Sequence, residues 1–265
     1  MKSFRSMKLK NSSDKNSMDE PERIIPNLWK NAGDITAAFS LRNPSLNPDG
    51  MIPGLNLGMI SDEVEDEVNT NRKYWIESLG GNLSRLAVAR QVHGKRVAVI
   101  TEPGSYQDTD ALVTTESNLW LGIQVADCAS VLLADRHNRV IAAVHAGWRG
   151  AVADIVTKTV QKMKDEGASA HHIEAYISPC ISQKRFEVGK EVASQFPKDL
   201  VDYQTYEKPH PDLKSLLKRQ LLESGLNELH IEVSEYCTME NEMDFYSHRL
   251  QKGNTGRMMA VIALQ

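Results

Sequence analysis

Between positions 86 and 145 the chain passes through six short stretches dominated by Val, Ile, Leu and Ala, at 86–89, 97–100, 111–115, 119–125, 130–134 and 140–145. Stretches of this length and composition predict buried strands. The links between them are too short for the dozen or more residues of a helical crossover. That excludes a doubly wound parallel sheet and predicts mixed sheets with hairpin-like joins. One such join is Asp135-Arg136-His137-Asn138, a set of turn formers between two apolar runs.

Around this block the period changes. Val64, Val68, Tyr74, Trp75 and Leu79 recur at helical spacing over 62–79, and Gly80-Gly81 stands where a C-cap belongs. Ile155, Val156, Thr159, Val160 and Met163 form an apolar stripe, which predicts one helix over 150–166. Further helices are expected at 187–195 and 213–224. Further strands are expected at 35–41, 173–177, 230–234 and 258–264, and the Pro/Gly/Asn-rich segment 44–58 reads as a loop. The expectation is one compact α/β or α+β domain over 23–265, preceded by a polar tail over 1–22.

The apolar share of 41% and charged share of 25% describe an ordinary globular chain. Thirty-one basic residues against 35 acidic give a net charge of −4, which supplies no basic stripe for nucleic acid. The apolar runs fall short of the ~20 residues that span a bilayer, and the first 22 residues lack a signal-peptide core. Three scattered cysteines, Cys128, Cys180 and Cys237, make no disulfide framework. Together these predict a cytoplasmic protein, monomeric or homodimeric, without nucleic-acid or membrane partners.

Chemistry concentrates at strand ends. Val144-His145-Ala146-Gly147-Trp148-Arg149-Gly150 leaves an apolar strand, turns and opens a helix, where free amides and the Arg149 fork could hold an anion. The alternative is a plain strand-to-helix turn with Trp148 in the core. Val125-Ala126-Asp127-Cys128 ends another strand with an acid beside a thiol. Arg90-Gln91-Val92-His93-Gly94-Lys95 links two more. Two imidazoles and a thiolate, His93, Cys128 and His145, would make a three-ligand zinc set with an open fourth position. The same residues also allow a Cys128 nucleophile activated by His145. Near the C-terminus, Tyr246-Ser247-His248-Arg249 and Thr255-Gly256-Arg257 gather donors around a turn.

Taken together, Leu55-Asn56-Leu57-Gly58, Arg90–Gly94, Asp108-Thr109-Asp110-Ala111-Leu112-Val113-Thr114, Ala126-Asp127-Cys128, His145–Gly150, Phe186-Glu187-Val188-Gly189, Ser247-His248-Arg249 and Thr255-Gly256-Arg257 resemble the YfiH-type family. That family is also called the laccase-domain or multicopper polyphenol oxidoreductase family. The resemblance implies an α+β, four-layer α/β/β/α single domain with mixed sheets, and zinc on His93, Cys128 and His145. It implies phosphorolysis of adenosine, inosine, guanosine or methylthioadenosine, with a purine nucleoside and inorganic phosphate as small-molecule partners, and deamination of adenosine. Bacterial members are also associated with peptidoglycan editing.

A three-ligand zinc activates water near neutral pH. Asp127 or Asp110 would move protons, and Arg42, Gln91, Arg149, His248 and Arg257 are the candidates for holding phosphate or substrate. Copper oxidation fits less well, because multicopper chemistry calls for more histidine ligands. A Cys–His thiol hydrolase or deamidase is the alternative enzyme class. The chain departs from the family pattern at 41–45, Ser130, Ser178 and 250–252, which bears on substrate fit more than on the metal set.

Overall fold

The computed structural model describes residues 20–59 and 65–265. Most of the expected tail, and the first turn of the helix expected from 62, lie outside those residues.

Two six-stranded mixed sheets carry the fold. The first contains β1 (Arg23–Ile24), β2 (Ile35–Ser40), β3 (Leu86–Ala89), β5 (Gly104–Tyr106), β7 (Trp120–Val125) and β14 (Met258–Leu264). The second contains β4 (Val97–Val99), β6 (Ala111–Thr114), β8 (Ala129–Asp135), β9 (Val140–Ala146), β10 (Glu174–Ile177) and β13 (Ile231–Val233). Their orders are β1-β2-β14-β7-β3-β5 and β13-β10-β8-β9-β6-β4. β11 (Val201–Asp202) and β12 (His210–Pro211) pair separately. The helices are α1 (Glu65–Glu77), α2 (Trp148–Val152), α3 (Ile155–Asp165), α4 (Lys190–Ala193) and α5 (Leu213–Glu223).

The near-continuous apolar strands are explained by the layering, because each sheet is covered on both faces. In β14, Met258, Ala260, Ile262 and Leu264 pack between the sheets against Leu112, Leu132, Ala134, Ile141 and Ala143. The alternate residues Met259, Val261 and Ala263 face Trp75 and Ile76 of α1. On the far side, Val131, Leu133, Ala142 and Val144 pack against Ile155, Val156, Val160 and Met163 of α3 and Leu213, Leu217 and Leu221 of α5. The result is the α/β/β/α single domain of mixed sheets expected above. Among the described residues no helix is long and apolar enough to cross a membrane.

Two helices differ from the sequence reading. The helix expected over 150–166 is two pieces, α2 and α3, because Asp154 takes a left-handed conformation (φ 61) between them. Gln220 fixes that break, donating from Nε2 to Ala151 O at 2.7 Å and to Asp154 Oδ1 at 3.0 Å. The helix expected over 187–195 shrinks to Lys190–Ala193. Val188 N instead donates to Pro209 O at 3.0 Å, holding that stretch extended.

Candidate metal centre

The chain crosses between the two sheets beside the site. β3, in the first sheet, runs into a turn carrying His93 before β4 begins in the second. β7, in the first sheet, turns at Asp127-Cys128 into β8 of the second. His145 lies in β9. Both turns use left-handed residues, His93 (φ 59) and Asp127 (φ 78), a conformation uncommon for non-glycine residues. Each has a side-chain anchor. Asp110, just before β6, accepts from His93 N at 3.0 Å and Gly94 N at 2.8 Å, so its carboxylate gathers the amides of the first turn. Asp127 accepts from Thr238 Oγ1 and from Arg249 N, both at 2.6 Å, which ties the second turn to the C-terminal loops.

These turns bring one ligand atom each from His93, Cys128 and His145 within 4.8 Å of one another. The His93 and His145 rings meet edge to face, with centroids 4.8 Å apart. Asp110 Oδ1 lies 2.8 Å from His145 Nδ1. A carboxylate in that position fixes the ring with Nε2 free, which is how ligating histidines are usually oriented. Gly147 closes the arrangement. A Cβ there would stand 3.0 Å from both Cys128 Sγ and His93 Cδ2, so the glycine is needed for space.

The electrostatics agree with the geometry. Burial alone would raise the Cys128 thiol, but the His145 and His93 imidazoles beside it pull it down to about 6. Burial alone would likewise lower His145, yet the Cys128 sulfur and the Asp110 carboxylate push it up to about 9. Asp110 is held below the ordinary carboxylate range despite its burial, by His145 and the turn amides. Two nitrogens and a thiolate gathered around one point are a borderline-soft donor set, and they fit zinc.

The cluster lies on a cleft of ≈ 690 Å³, within the ~300–1,000 Å³ usual for small-molecule sites. Gln91, Asp127, Arg149, His248 and Arg257 line it. Two other expected residues are placed elsewhere. Arg42 does not line the cleft: its guanidinium lies 5.4 Å from the Tyr246 ring centroid, and its Nη1 donates to Glu242 O at 3.2 Å. Asp110 is buried behind His145 and does not line the cleft either; its carboxylate engages the His145 ring and the turn amides. The Gln91 amide grips both backbone groups of Gln124, Nε2 to O at 2.7 Å and N to Oε1 at 2.9 Å, clamping β3 to β7. Arg72 and Gln124, which the sequence does not single out, also line the cleft, as do Arg90, Asp108 and Arg249 of the motifs quoted above. Arg72 in particular read as one more polar position of an amphipathic helix.

Residues 36–265 match the family described as multi-copper polyphenol oxidoreductase laccase, and the chain belongs to that family. Among its curated relatives, a purine nucleoside phosphorylase of Deinococcus radiodurans is 39% identical over 230 residues, covering 86% of this chain and 88% of the relative. Adenosine deaminase RL5, from an unknown prokaryotic organism, is 32% identical and covers 83% and 90%. The solved structure of the hypothetical protein YfiH from Bacillus licheniformis superposes with a TM-score of 0.85 at 28% identity, over 93% of this chain and 98% of that one.

Proposed function

We propose that the chain is a zinc-dependent purine nucleoside enzyme, cleaving adenosine, inosine, guanosine or methylthioadenosine with phosphate and deaminating adenosine. The observation that carries this reading is the His93–Cys128–His145 cluster, oriented by Asp110, on a cleft of nucleoside size with guanidinium groups along it. Relatives named for both activities support it.

His93, Cys128 and His145 would hold the ion, whose contribution when bound is Lewis acidity and activation of water at neutral pH. In phosphorolysis a phosphate oxygen bonds to C1′ as the C1′–N9 bond breaks, and the purine leaves with the electron pair and takes up a proton. In deamination a water oxygen bonds to C6 and ammonia leaves. Asp127, next to Cys128 on the cleft wall, would pass those protons, with Thr238 and Arg249 holding its carboxylate. The guanidinium groups balance the anionic co-substrate. The test is to incubate metal-replete protein with adenosine, with and without phosphate, and separate the products. Adenine and ribose 1-phosphate, or inosine, are expected; no turnover of any purine nucleoside sinks the reading.

A second reading rests on the Cys128–His145–Asp110 line, since a thiol pulled down beside an imidazole pushed up is also the arrangement of thiol hydrolases and deamidases. Activity that survives thorough chelation but is lost on alkylating Cys128 would favour it.

A further inference from the structure

Arg72 is an anomaly for a soluble domain. It is only 7% exposed, yet no carboxylate among the described residues pairs with it. Its Nε donates to Leu57 O at 2.9 Å, and its guanidinium lines the cleft. Buried charges are ordinarily paired. Burial and the charge of nearby Arg90 together hold Arg72 down to about 10, and among the described residues neither arginine forms an ion pair.

Arg257 also lines the cleft, and its backbone is bonded to the segment that holds Arg72. Leu57 N donates to Arg257 O at 3.0 Å, and Arg257 N donates to Asn56 Oδ1 at 2.9 Å. Gly58 makes room for the Arg257 stem: a Cβ there would stand 2.3 Å from Arg257 Cγ. Arg257 also feels the charges of Cys128 and Asp127, so it connects this corner to the candidate metal centre. The acids on the cleft, Asp108 and Asp127, do not neutralise it. Neither forms an ion pair with these arginines among the described residues, and Asp127 is engaged by Thr238 and Arg249. The opposite side offers a weaker cradle. Arg149 is exposed, with its guanidinium 4.5 Å from the Trp148 ring centroid, and α2 behind it has only 5 residues.

We propose that Arg72, Arg90 and Arg257 form the oxyanion subsite of this cleft and take a phosphate group. The source of that group rests on the nucleoside reading above: it is inorganic phosphate as co-substrate, or the ester phosphate of a nucleotide. All three line one cleft. Arg90 Nε is held by Ser105 Oγ at 2.8 Å and Arg257 Nη1 by Thr255 O at 2.8 Å and Gly256 O at 2.9 Å, and the guanidinium donors left over are suited to a tetrahedral oxyanion.

The experiment titrates zinc-loaded protein with inorganic phosphate, followed by ³¹P line broadening and by thermal shift, and separately with adenosine 5′-monophosphate. The variants are R90Q, on the exposed Arg90, and R72K, which keeps the charge but loses the fork. Circular dichroism and zinc content check that each is folded and loaded. At least tenfold weaker phosphate binding is expected in both variants. In turnover the phosphate KM should rise by the same factor, with the nucleoside KM changed less. R149Q should move the phosphate KM less than R90Q. Phosphate binding unchanged in R90Q and R72K overturns the proposal, as does binding lost only in R149Q. Failure of both phosphate and the monophosphate to bind wild-type protein overturns it as well. If only the monophosphate binds, and does so through Arg72 and Arg90, the anion is the ester. If phosphate binds through these arginines while no nucleoside is turned over, the subsite stands and the nucleoside reading fails.

Discussion

Replacing Asp110 with Asn tests the logic of the centre with little change of shape. One carboxylate oxygen faces His145 Nδ1 at 2.8 Å and His93 N at 3.0 Å; the other faces Gly94 N at 2.8 Å and Val92 N at 3.3 Å. Four donors surround two acceptors, so an amide nitrogen at either position meets two N–H groups head on. A buried donor left without an acceptor costs roughly 1–3 kcal/mol. Rotation of the amide can relieve one pair only, which puts the expected loss of metal-free stability at about 2–4 kcal/mol. The His145 ring also loses the partner that fixes its orientation, for which losses of about 10–100-fold in metal affinity are usual. Competition with a chromophoric chelator gives the zinc Kd, and urea unfolding of metal-free protein gives the stability. If Asp110→Asn binds zinc within twofold of wild type, the carboxylate does not orient the ligand and the argument for a built centre fails.

Gly147→Ala should displace Cys128 or His93, because the added methyl stands 3.0 Å from both side chains; zinc retained at full stoichiometry and unchanged affinity would show that the site has slack. In metal-free protein the Cys128 thiolate forms as pH rises through about 6, so iodoacetamide labelling should be slow at pH 5 and level off above pH 7. A rate still climbing between pH 8 and 9 would contradict that. Cys180 stays silent because burial pushes it up to about 12. Chelation should leave the near-ultraviolet dichroism intact and lower Tm only by the lost ligand-binding term, since three extensive hydrophobic clusters supply the core; cooperative unfolding on adding chelator would make the metal structural.

The strands were legible because burial on both faces leaves an unbroken apolar signature, as in β9 and β14, and the hairpin at 135–138 because its turn residues are specific. The break at Asp154 was not, since an apolar stripe at helical spacing continues across it and the cause is a contact from Gln220, far along the chain. The three residues of the candidate metal cluster could be named from residue type, strand-end position and family resemblance. That the Asp110 carboxylate turns toward the turn amides and His145 was not legible, because those partners meet only in the folded chain. Arg72 was invisible: in sequence it sits on a helix rich in charge, and its meaning comes from the partner it lacks in space.

The crossing of the chain between the sheets has a mechanical consequence. His93 and Cys128 sit in the two links where the chain passes from the first sheet to the second, and His145 in a strand of the second, so an ion held by all three would act as a rivet across the seam. Sliding of one layer past the other by a fraction of an ångström would change every bond length at once. The stiffness of the methyl- and ring-filled interior between the layers would therefore set how sharply such a centre discriminates among ions of different radius.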